Sequence, residues 1–183
     1  MVILLVIIAI VVLIAAYLVS TYNSLVSLRN KVKDQWSQVD VLLKRRADLI
    51  PNLVETVKGY AGHEKETLDA VITARNKAVN ASNQHDEMEA NGELSQALGR
   101  LLAISEAYPD LKANTNFMDL QNNLKETEDK ISFARQFYND TVLTYQNKIE
   151  MFPSNIVASL FGFKAAEFFE ATEAEKETPK VQF

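Results

Sequence analysis

The chain opens on an unbroken apolar run and then changes to a spacing of three, four and seven that persists for most of its length. Val2 to Val19 is eighteen residues without a charge or a proline. As a helix it reaches about 27 Å, close to the hydrocarbon core of a bilayer. Ser20, Thr21, Tyr22 and Asn23 follow, placing hydroxyls, an amide and an aromatic ring where the chain leaves the membrane. The run is therefore expected to be a retained transmembrane anchor over residues 1–19. A cleaved signal peptide fits less well, because it needs a basic start and a shorter apolar core.

From Leu25 the apolar positions Val32, Trp36, Val39, Leu43, Ile50, Leu53, Val57 and Tyr60 form a helical seam, which Leu28, Leu42 and Leu49 widen enough for two neighbours. Arg46 interrupts that seam, either snorkelling to the bundle edge or pairing between helices or subunits. Pro51 removes a backbone donor and collides with the carbonyl of Ala47. The seam keeps its phase across it, which favours a kink over a helix restarting at Asp48. Gly59 and Gly62 break the pattern before Thr67 to Val79 resumes it. Residues 80–92 read as a loop or frayed end, with Ser82, Asn83, Asn91 and Gly92 as breakers. A short amphipathic helix follows through Leu94, Leu98, Leu101, Ser105 and Tyr108, ended by Pro109. Phe117, Leu124, Ile131, Tyr138, Tyr145 and Phe152 then recur every seven residues, with Leu120, Thr127, Ala134 and Thr141 interleaved. Such a heptad implies large side chains packing between small ones.

These patterns predict an all-α fold: an N-terminal transmembrane helix followed by an elongated antiparallel helical bundle with coiled-coil-like packing. The expected segments are the anchor at 1–19, a long-helix bundle at 20–152, an aromatic amphipathic segment at 153–169 and an acidic mobile tail at 170–183. In the third of these, Ile156, Leu160, Phe161, Phe163, Phe168 and Phe169 are too apolar for a free surface. They read as a cap on the bundle end, a subunit interface or a membrane-lying segment, and with Trp36 and Arg46 they make the candidate interaction or oligomer contacts.

Five glycines and four prolines in 183 residues leave few turns, and the absence of cysteine removes disulfides, thiolate metal sites and a cysteine nucleophile. Charge adds an asymmetry. Residues 29–46 hold six bases (Arg29, Lys31, Lys33, Lys44, Arg45, Arg46) against two acids (Asp34, Asp40), a local +4 within a chain of net charge −5. Basic residues near an apolar span favour the cytoplasmic side, so Arg29, Lys31 and Lys33 are candidate membrane-surface residues and the C-terminal domain is expected in the cytoplasm. A nucleic-acid partner is not expected.

No motif completes a catalytic constellation. His63-Glu64 opens a zinc-protease pattern, but Thr67 stands where the second histidine must be. No Glu-x-x-His pair, phosphate loop or serine nucleophile elbow occurs. The carboxylates Glu64/Glu66 and Glu126/Glu128/Asp129 read as solvated helix faces. No enzyme activity, cofactor or metal is expected.

The longer motifs carry a resemblance. Tyr22-Asn-Ser-Leu-Val-Ser-Leu-Arg-Asn30, Trp36-Ser-Gln-Val-Asp-Val-Leu-Leu-Lys-Arg-Arg46, Asp48-Leu-Ile-Pro-Asn-Leu-Val-Glu-Thr-Val-Lys-Gly-Tyr-Ala61 and His63-Glu64 resemble the LemA family. So do Ala107-Tyr-Pro-Asp-Leu111, Phe133-Ala-Arg-Gln-Phe-Tyr-Asn139 and Phe152-Pro-Ser-Asn155. The resemblance covers essentially the whole chain and implies a bacterial membrane protein with an N-terminal anchor and a long α-helical bundle, expected as a single-pass protein of the inner membrane; it supplies no reaction and no catalytic residues. With the heptad, the aromatic segment and the basic collar, it leads to an expected role as a self-associating scaffold bound to lipid and to other envelope proteins. A membrane-shaping protein is the alternative.

Overall fold

The structure is a computed structural model and describes residues 1–169; the acidic tail expected at 170–183 lies outside the described residues. Every regular element among the described residues is helical: α1 (Val2–Lys58), α2 (Lys65–Val79), α3 (Gln84–Ser105), α4 (Pro109–Lys112), α5 (Thr115–Glu150) and α6 (Ser154–Leu160). The chain divides into two compact units, one of residues 1–38 with 136–168 and the other of residues 39–135 with Phe169 among those described.

α1 is one helix of 57 residues that carries the apolar run and the seam without interruption. Pro51 lies inside it, so no second helix restarts at Asp48. The carbonyl of Ala47, which would have bonded to the amide proline lacks, instead accepts from Arg75 Nε of α2 at 3.4 Å. An inter-helix donor thus replaces the missing intrahelical one.

In the second unit the C-terminal part of α1, with α2, α3 and the start of α5, closes on one core. Ile50, Leu53 and Val57 meet Val71 of α2, Leu94 and Leu101 of α3, and Phe117 of α5, all at 1% exposure or less. α2 packs along α3. Tyr60, expected in the seam, sits instead in the turn after α1, exposed, with its hydroxyl accepting from Asn114 Nδ2 at 2.9 Å.

The expected loop over 80–92 is mostly helix. Asn83 adopts an extended backbone and its side-chain oxygen accepts from the amide of Asp86 at 2.9 Å, an N-cap that starts α3 at Gln84. Asn91 and Gly92 are then buried within the helix rather than breaking it. At its other end α3 stops at Ser105, before Pro109, which opens the single turn of α4.

In the first unit α1 buries Leu25 and Val32, and α5 buries Tyr138, Val142 and Tyr145. Trp36, expected in the seam, is only half-buried; its ring meets Tyr138 edge-on at 5.5 Å between centroids. Heptad positions Phe117, Leu124, Ile131, Tyr138 and Tyr145 are all buried. Phe152 is not: α5 ends at Glu150, and Phe152 is 80% exposed beside a cis peptide bond to Pro153. Beyond α6 the chain is irregular, with Tyr145 Oη donating to the carbonyl of Lys164 at 2.8 Å and Tyr138 Oη to that of Glu167 at 2.7 Å.

Candidate functional site

Two arrangements stand out, one in each unit. In the second, the seam of α1 brings Arg46 inward at 1% exposure. The guanidinium is then met by side chains of two other helices. Nη1 donates to Ser95 Oγ at 2.8 Å and to both oxygens of Glu128 at 3.0 and 3.2 Å; Nη2 donates to Asn91 Oδ1 at 2.6 Å and to its carbonyl at 3.1 Å. Asn91 is oriented by its own Nδ2, which donates to the carbonyl of Glu87, and Ser95 Oγ also donates to the Asn91 carbonyl. Nε finds no acceptor. The pairing therefore ties α1 to α3 and α5 inside one chain.

Glu128 is thus the counterion of Arg46, where the sequence suggested a solvated face. Ser95, Leu98, Gly99 and Leu102 of α3 face Gln121, Lys125, Glu128 and Arg135 of α5 across a cleft of about 610 Å³. A Cβ on Gly99 would meet nothing within 4 Å, so that wall of the cleft is open.

A second ionisable group lies one turn before Asn91. Burial, the negative charge of Asp40 and a hydrogen bond shared with that carboxyl push Glu87 up from 4.5 to about 7, against the opposing effect of Lys44. Lys44 itself pairs with Asp40 at 2.6 Å.

In the first unit the aromatic segment folds back on α1. Phe161 and Phe163 lie 4.8 and 5.8 Å from the ring of Tyr22, and the Arg29 guanidinium stands 5.3 Å over Phe163. Ile156, Leu160 and Phe161 stay exposed at 57, 69 and 53%, and Phe168 at 37%. Phe169, which belongs to the second unit, is buried under Arg135 at 4.1 Å. Of the candidate contacts, then, Trp36, Arg46, Phe161, Phe163 and Phe169 have partners within their own chain, whereas Ile156 and Leu160 present surface, as does the half of Phe161 left exposed. Arg29, Lys31 and Lys33 are exposed on α1, ten to fourteen residues past Val19, or roughly 15–21 Å beyond it along a straight helix. Sequence reasoning missed Asn91, Ser95 and Glu128. The available signal was Asn91 and Ser95 one turn apart, two polar residues interrupting the apolar face of α3.

Among the described residues no group of three His, Cys, Asp or Glu side chains is gathered to hold a metal ion. Among the described residues one helix is long and apolar enough to cross a membrane, and none of its apolar stretch is buried. A helical bundle carried on such a helix defines a membrane-associated all-α protein.

The chain belongs to the LemA family: the family's profile matches residues 35–183. It is 28% identical over 185 residues to magnetosome protein MamQ 2 of Paramagnetospirillum magneticum, covering 87% of this chain and 68% of that one. It is 25% identical over 178 residues to magnetosome protein MamQ of Magnetospirillum gryphiswaldense, with 83% and 65% covered. Protein LemA of Metamycoplasma hominis is 27% identical over 155 residues, with 84% and 71% covered.

Proposed function

We propose that this protein is a membrane-anchored, self-associating scaffold or interaction protein of the bacterial envelope, with no catalytic site of its own. α1 would hold it in the inner membrane as a single-pass protein, with the C-terminal domain on the cytoplasmic side; the bundle would meet a second copy and other envelope proteins. The observation that carries self-association is the exposure of large aromatics well outside the apolar run. Phe133 in the second unit and Phe137 in the first are 64% and 62% exposed on α5. Aromatic side chains left in water at that level favour a protein partner.

Light scattering on the full chain in nanodiscs or mild detergent tests this. The expected result is a discrete oligomer that dissociates in the Phe133→Ser/Phe137→Ser variant. A strict monomer at high concentration would overturn self-association and leave an anchored binding module. A second reading, in which ordered assemblies set membrane curvature, is favoured by the exposed apolar residues of α6 beside the start of the bundle. Reconstituted protein that leaves liposome shape unchanged in electron micrographs removes it.

A further inference from the structure

Thirteen consecutive residues, Met151 to Phe163, carry no charge, although charged Glu150 and Lys164 flank them. Within this stretch α6 has two distinct sides. Ser154, Val157 and Ala158 are buried against the protein, while Ile156 and Leu160, one turn apart, are exposed at 57 and 69%. Phe152 and Phe161 continue that exposed side at 80 and 53%. An uncharged helix with one apolar face packed and a second one bare needs an apolar medium on its outside.

Its position supplies one. Tyr22 follows the last apolar residue of the span, Val19, by three residues, about 4.5 Å along the helix. Phe161 is locked to Tyr22 by ring contact at 4.8 Å and Phe163 at 5.8 Å. Phe161, at the end of α6, is therefore held within about one helical turn of the level at which α1 leaves the hydrocarbon, the level where aromatic rings collect and where interfacial helices settle some 5–10 Å into the headgroup and acyl boundary. The residues of the span itself are all exposed from Val2 to Tyr17, as a lipid-facing helix requires.

We propose that α6 with Phe152 and Phe161 is a second membrane contact, a short foot lying in the phospholipid leaflet from which α1 emerges. Ile156, Leu160 and the two phenylalanines enter the acyl boundary. Phe163, with Arg29 over it, forms the upper edge. The Tyr22 contact fixes the foot to the anchor, so lipid is displaced in one leaflet only and α1 is held against rotation about its own axis. The proposal rests on α1 being a membrane anchor.

The chain contains no cysteine, so single labelling sites can be introduced without background. Ser159→Cys, exposed between the apolar residues of the foot, Ile8→Cys in the span and Lys33→Cys in the collar would each carry an environment-sensitive fluorophore. The full chains are reconstituted in phosphatidylcholine–phosphatidylglycerol vesicles, with and without lipids bearing a nitroxide near the carbonyl. The expected result is quenching of about twofold at Ser159, none at Lys33, and loss of the Ser159 quenching when Leu160→Ser and Phe161→Ser are added. Quenching at Ile8 with a Ser159 label that behaves like Lys33 overturns the foot and leaves the anchor standing. An unquenched Ile8 label overturns the anchor and the foot with it. A Ser159 label that is blue-shifted but unquenched by lipid nitroxides overturns the foot in favour of contact with a second copy.

Discussion

Arg46 brings a full positive charge to 1% exposure, and what makes that tolerable is Glu128, whose side chain is itself 37% exposed. Removing Glu128 strands a desolvated positive charge, which costs more than the pair contributes, whereas removing Arg46 leaves a carboxylate that water still reaches. Glu128→Ala is therefore expected to destabilise the protein by about 3 kcal/mol, and Arg46→Met, which keeps the apolar stem and discards the charge, by only about 1 kcal/mol. Urea unfolding of the full chain in detergent, followed by circular dichroism, checks the order. Glu87 makes a prediction of opposite character. Its folded pKa is raised from 4.5 to about 7, so the folded state holds the proton more tightly than the unfolded chain. The stabilisation is fully present below about pH 4.5 and is lost as pH rises through about 7. Glu87→Gln should flatten the melting temperature across that window and leave the variant the more stable protein at pH 8. That Arg46 mattered was legible, since it alone broke the seam of α1; its partners were not, because they lie 45 to 82 residues away on other helices.

The elements were mostly written in the spacing of apolar residues. The unbroken phase across Pro51 foretold a seam that continues, and α1 is one helix there. What makes this possible lies on another element: Arg75 donates to the Ala47 carbonyl at 3.4 Å. Arg75→Leu should accordingly cost about 1 kcal/mol in the native sequence and distinctly less in a Pro51→Ala background, where the backbone amide returns. A double-mutant cycle of unfolding free energies measures the difference. The start of α3 was misread for a related reason. Asn83 and Asn91 look alike as loop formers, but one is an N-cap and the other is a buried ligand of a guanidinium, and composition carries no such distinction. Trp36 shows the reverse. A large apolar ring in register with the seam is still only half-buried, although one edge meets Tyr138. Spacing reports which side of a helix a residue occupies and is silent on how much of that side is covered.

For the whole molecule the decisive asymmetry is that of charge and hydropathy along α1. Eighteen apolar residues are followed at a distance by a local excess of four positive charges. This distribution favours a cytoplasmic bundle. A membrane-impermeant maleimide should therefore leave a Val41→Cys variant unlabelled in intact cells and label it in inverted membrane vesicles; Val41 is 64% exposed, so access to the side chain is not limiting. Labelling in intact cells would place the bundle outside.

Sequence alone determined the membrane-length run, the helical class and the heptad of α5, because each is a local property: uninterrupted hydrophobicity over a fixed length, scarcity of turn residues, and a period that matches the α-helix. Only the tertiary structure decided which polar residues satisfy Arg46, which carbonyl Arg75 restores, and which side of the aromatic segment remains bare. Those outcomes depend on distances between residues far apart in the chain. Burial turns a charge, an orphan carbonyl or a phenyl ring from a neutral surface feature into an energetic requirement.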